Sequence, residues 1–150
     1  MAQESLQLLI ELTARAREEA ANALSQSRRA EQRLEAQLRT LDQYQREYRQ
    51  TLQQQLAGAG MSPATLANYR GFLKSLEGAM ERAERNLAHH RTQVAEHQET
   101  WRKAWRKVNA IETLLARREE QERLRVGRAE QRQTDEQASR ARRAPMGSEF

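Results

Sequence analysis

Steps of four and three residues carry a repeating pattern through two long stretches of this chain, one on each side of a short glycine-proline segment. Before the segment the rhythm joins Leu6, Ile10, Thr13, Arg17, Ala20, Leu24, Ser27, Glu31, Leu34, Leu38, Leu41, Gln45, Tyr48, Leu52 and Gln55. After it come Leu66, Tyr69, Leu73, Leu76, Met80, Ala83, Leu87, His90, Val94, His97, Trp101, Ala104, Val108, Ile111 and Leu115. A repeat of roughly 3.5 residues, held over so many heptads, marks a coiled-coil seam. Two runs of equal length about one break predict an all-α fold: a long two-helix antiparallel coiled-coil hairpin with a polar C-terminal extension. One thin core leaves no room for a catalytic pocket. The expectation is a non-enzymatic protein that works through its surface, its ends and its partners.

The break spans Ala57-Gly-Ala-Gly-Met-Ser-Pro63. Gly58 or Gly60 can take the left-handed conformation that ends a helix, Ser62 is a natural N-cap, and Pro63 suits the first helical position. The first helix is expected at about 4–56, the turn at 57–63 and the second helix at about 63–116. Beyond Leu115 the rhythm meets Arg118, Glu122 and Arg125, which form no core. Residues 117–145 therefore extend the helix into solvent or fray, and 1–145 is read as one domain. The final 146–150, Met-Gly-Ser-Glu-Phe, has the look of vector-derived sequence.

Composition excludes several classes of function. Hydrophobic residues make up 37% and aromatics 5% of the chain, too few for a broad globular core. No cysteine is present, so disulfides and thiol chemistry are out. No signal peptide or membrane-length apolar run is legible, which points to the cytoplasm. The net charge of +5 comes almost wholly from arginine. Acidic residues are interspersed with it, so a nucleic-acid partner is not expected. His90 and His97 stand seven apart, too far to share a metal easily, and the chain implies no cofactor.

Folding about the break pairs residues whose numbers sum to about 121, which sets Trp101 over Ala20, Leu87 over Leu34 and His90 over Glu31. Tyr44 and Phe72 then flank the seam on the same side. With Gln37, Ala79 and the seam residues Leu41, Tyr48 and Leu76 they form an apolar and aromatic stripe near the break, suited to a partner.

These residues also carry a family resemblance. Leu41-Asp-Gln-Tyr44-Gln-Arg-Glu-Tyr48-Arg-Gln-Thr-Leu52, the glycine-containing break, Asn68-Tyr69-Arg-Gly-Phe72-Leu-Lys-Ser-Leu76-Glu, Trp101-Arg-Lys and the polar tail together resemble the flagellar export FliJ family. The resemblance implies a stalk and general chaperone of flagellar type III export, similar to the central stalk of rotary ATPases. It implies three partners: the export ATPase FliI, the export gate protein FlhA and the export chaperones. Association with the cell membrane would be peripheral, through the gate and without insertion. Carried over by position, the gate-binding face is Gln37, Leu41, Tyr44, Tyr48, Phe72, Leu76 and Ala79. A histidine that some members carry one turn further on is Ala83 here. The ATPase contact, placed by the stalk analogy alone, is Leu6, Ile10, Arg17, Ile111, Leu115 and Arg118.

Two alternatives stay open: the equivalent stalk of a virulence type III secretion system, and a cytosolic coiled-coil scaffold unrelated to secretion. The polar seam residues Arg17, Ser27 and Glu31 lead to a physical expectation as well. The half of the hairpin far from the break should exchange amide protons faster than the half beside it, and uniform protection along both helices would contradict this.

Overall fold

The structure is a computed structural model that describes residues 2–144; the suspected vector segment 146–150 lies outside the described residues. It contains two helices, α1 (Ala2–Ala57) and α2 (Pro63–Arg143), of 56 and 81 residues. Both are dense in Ala, Leu, Gln, Glu and Arg, the residues that lose least on entering a helix, and no proline interrupts either. α2 continues as regular helix through the extension to Arg143. There the exposed pairs Glu120–Arg123, Glu122–Arg125 and Glu136–Arg140 support the helix from its own surface. The hydrogen bond from Arg125 holds the Glu122 carboxyl below its ordinary range.

The break is built from local hydrogen bonds. Gly60 has φ of +79°, and its N–H donates to the Gln55 carbonyl at 2.9 Å; the Gly58 N–H donates to Gln54 at 3.0 Å. These bonds satisfy carbonyls that the end of α1 leaves without helical partners. Ser62 caps α2: its Oγ accepts the Thr65 N–H at 3.2 Å and its carbonyl accepts the Leu66 N–H at 3.0 Å. Pro63 follows at the first helical position, where its missing N–H costs nothing.

Side chains bury where the heptad rhythm puts them. All eight buried residues among those described, Leu6, Thr13, Ala20, Leu24, Leu76, Leu87, Val108 and Ile111, occupy seam positions. Every other seam residue except Tyr48 and Gln55 is half-buried. The chain divides into two compact units, one of residues 15–105 and one formed by the residues on either side of it. In the flanking unit Leu6, Thr13, Val108 and Ile111 are buried. Thr13 enters the seam because its hydroxyl donates to the Leu9 and Ile10 carbonyls at 2.9 and 3.0 Å, leaving its methyl as the packing group.

Within the 15–105 unit, contacts ascend α2 as they descend α1. Tyr48 meets Phe72, Leu38 shares a groove with Leu87, Glu35 pairs with Arg91 at 3.3 Å, and Leu24 shares a groove with Trp101. Trp101 borders a groove whose α1 side runs from Ala21 to Gln32. One expected pairing shifts. The polar link between helices is Glu35–Arg91; the His90 ring turns instead to the Asn86 carbonyl of its own helix at 3.2 Å. Side chains lean toward the N-terminus of their helix, which for α2 is the break, so its long side chains meet α1 residues closer to the break than the backbone register suggests.

Burial varies along both helices of this unit. On α1, Ala20 and Leu24 are buried, whereas Leu34, Leu38, Leu41 and Leu52 are half-buried; on α2, Leu76 and Leu87 are buried. Within the 15–105 unit, amides around Ala20–Leu24 and Leu87 should therefore outlast those of residues 34–52 in hydrogen exchange. Leu87, 4% exposed, should cost about 2–3 kcal/mol on replacement by alanine, and Leu38→Ala clearly less, both read from urea unfolding.

Candidate functional site

Tyr44 and Tyr48 stand one turn apart on α1, and Tyr69 and Phe72 one turn apart on α2, all inside the 15–105 unit. The Tyr48 ring lies over Phe72 with centroids 4.4 Å apart and planes inclined by 37°. Its other neighbour is Tyr69, at 6.3 Å and 57°. Offset aromatic pairs of this kind contribute about 0.5–1 kcal/mol beyond the area they bury. They also fix the two helices against each other near the break. The cluster remains wet: Tyr44, Tyr48 and Phe72 are 50%, 39% and 44% exposed. Tyr48, although at a seam position, is exposed and stacks on Phe72, whereas Tyr69, also at a seam position, is half-buried.

The other residues expected on the gate face take different environments. Gln37 is exposed, Leu41 and Ala79 are half-buried, and Leu76 is buried at 7% exposure. Leu76 thus supports the stripe from beneath and offers little surface of its own. Tyr44 makes no aromatic contact among the described residues and stands free beside the Tyr48–Phe72 pair. Tyr69, which the heptad reading assigned to the core alone, joins the cluster; its place three residues after the seam residue Leu66 gave no sign of this.

The residues expected to contact the ATPase are less suited as a surface. Leu6 and Ile111 are 8% and 9% exposed, so their side chains hold the flanking unit together. Ile10 and Leu115 are half-buried, and Arg118 is exposed. Arg17 is half-buried and belongs to the 15–105 unit, apart from the other five. The exposed large apolar residues of the flanking unit are instead Leu8, Leu9, Leu12, Leu114, Leu124 and Val126, at 41–57% exposure. The sequence held a signal for the first four of them: a leucine run wider than a two-position seam requires.

Among the described residues no three His, Asp or Glu side chains gather as a metal site, and no helix is long and apolar enough to cross a membrane. In class, the chain is a two-helix hairpin that carries an exposed aromatic stripe. Comparison with known proteins narrows that class. A family described as "Flagellar FliJ protein" matches residues 2–147. The curated flagellar FliJ protein of Salmonella typhi is 33% identical over 137 residues, covering 91% of this chain and 92% of that protein. The flagellar FliJ protein of Escherichia coli K12 is 32% identical over 137 residues, with the same coverage. The chain belongs to the flagellar FliJ family. Membership supports a role in flagellar protein export.

Gly71 sits in α2 beside Phe72, and a Cβ built there meets nothing within 4 Å. Helix packing does not require this glycine, so Gly71→Ala should raise stability by about 0.5–1 kcal/mol in urea unfolding. A loss of stability would show that the backbone is held more closely there than the geometry indicates.

Proposed function

We propose that this chain is a non-enzymatic, cytoplasmic coupling component of flagellar type III export, whose coiled-coil seam presents separate surfaces to the export ATPase FliI and to the export gate protein FlhA. The observation that carries the reading is the wet aromatic stripe of Tyr44, Tyr48 and Phe72 in a chain of the FliJ family. Two helices that bury so few side chains gain little by leaving three aromatics in water, whereas a partner surface that covers them gains much. Gln37, Leu41 and Ala79 border this gate face, and Leu76 holds it from below. Export chaperones would use the same stripe in turn, since it is the largest aromatic surface in the unit. Membrane association would be peripheral and follow from gate binding.

In the flanking unit, exposure favours Leu8, Leu12, Leu114 and Arg118 as the ATPase contact, with Leu6, Ile10, Ile111 and Leu115 shaping it from within. Such a protein performs no chemistry. It stabilises the assembled ring, or one state of the gate, by binding that state better than the alternatives.

Two sets of variants separate the surfaces. Tyr44→Ala with Phe72→Ala should weaken binding to the purified cytoplasmic domain of the gate protein at least about tenfold, as loss of a hot spot does. The same variant should leave stimulation of the ATPase and its ring assembly unchanged. Leu8→Gln with Leu12→Gln should do the reverse. If the first variant supports full motility and unchanged gate binding, the scaffold reading takes precedence. If a virulence-type ATPase is stimulated and the flagellar one is not, the stalk belongs to that system.

A further inference from the structure

A second surface in the 15–105 unit is independent of the aromatic stripe and of the export reading. Trp101 of α2 closes one side of a groove of about 550 Å³, whose α1 wall is Ala21, Leu24, Arg28, Arg29 and Gln32. The floor is apolar: Leu24 is 6% exposed and Trp101 is half-buried. The rim carries two guanidinium groups and no carboxylate. Neither Arg28 nor Arg29 forms an ion pair among the described residues, although five other arginines of the chain do. The groove at Leu38, Met80 and Leu87 provides the contrast. Its rim mixes Glu35, Asp42 and Glu84 with Arg39 and Arg91, and Glu35 and Arg91 neutralise each other.

We propose that the Trp101 groove is a docking site for an acidic amphipathic helix of a partner protein. Its apolar side chain would rest on Leu24 and the Trp101 ring, and carboxylates one turn apart would meet Arg28 and Arg29. Charge complementarity sets the sign of the partner, because two unpaired guanidiniums beside an aromatic ring accept carboxylates in a fixed, forked geometry. The shape sets its form. From Ala21 to Gln32 the wall follows one face of α1 for roughly 16 Å, about three helical turns, which matches a helix laid along it. A bilayer is flat and would not enter such a groove. A nucleic acid backbone calls for a longer track of cations than two.

The test uses the full chain, immobilised, against a displayed library of amphipathic helices with randomised charge. Selected sequences should carry paired Asp or Glu at i, i+4 beside a Leu, Ile or Phe. Their affinity should fall at least about tenfold on Arg28→Gln with Arg29→Gln, and should weaken with salt. Both arginines are exposed and glutamine is a good helix former, so circular dichroism should find the variant as helical as the parent. In a Trp105→Phe background, the selected peptide should shift the Trp101 emission to the blue and saturate. Equal enrichment on the parent and the glutamine variant, or selection of neutral or basic helices, would overturn the proposal. So would tighter binding to phosphatidylglycerol vesicles or to a single-stranded oligonucleotide than to any selected peptide.

Discussion

Everything in this protein depends on one row of side chains shared by two helices. Isolated helices gain little in water, and their stability comes from covering an apolar stripe. Here the stripe is as narrow as it can be, and only eight described residues are truly buried. Most other seam residues are half-buried, and the side chains off the seam are largely exposed. That constraint makes the surface the functional part of the molecule, and makes each departure from a polar exterior informative.

Three such departures stand out. The Tyr48–Phe72 pair places an exposed seam tyrosine against a flanking aromatic of the other helix. Leu8, Leu9, Leu12 and Leu114 stay exposed because two helices can cover only part of a leucine-rich face. The Trp101 groove lies between a large ring on one helix and the Ala21–Gln32 face of the other, and its two arginines form no ion pair among the described residues. Membership of the FliJ family supports a role in flagellar export, and two of these surfaces are the ones we propose for it.

The polar positions of the seam show how residue type and burial come apart. Arg17, Ser27 and Glu31 suggested a weak region, and Leu34 to Leu52 a strong one. On α1, burial is deeper beside the former, at Ala20 and Leu24, than along the latter, although Leu87 and Leu76 of α2 are buried as well. Thr13 belongs to the core because its hydroxyl is spent on its own helix. Polarity counted along a sequence misses both effects, since how closely two helices approach depends on the sizes of facing residues.

The sequence by itself determined both helices, the break between them and the set of positions that bury. Those follow from local propensity, from the φ freedom of Gly60, from the Ser62 cap and from a heptad period that is visible along one chain. The exposed aromatic stripe was also legible, as two aromatics where flanking charges are usual. Only the tertiary structure decided which side chains meet. It paired Tyr48 with Phe72 and left Tyr44 free; it joined Glu35 to Arg91 and turned His90 away; it buried Leu76, Leu6 and Ile111, which had been expected to face partners. These outcomes depend on the lean of each side chain along its helix and on the bulk it meets across the seam. That information is shared between two distant segments and is present in neither one alone.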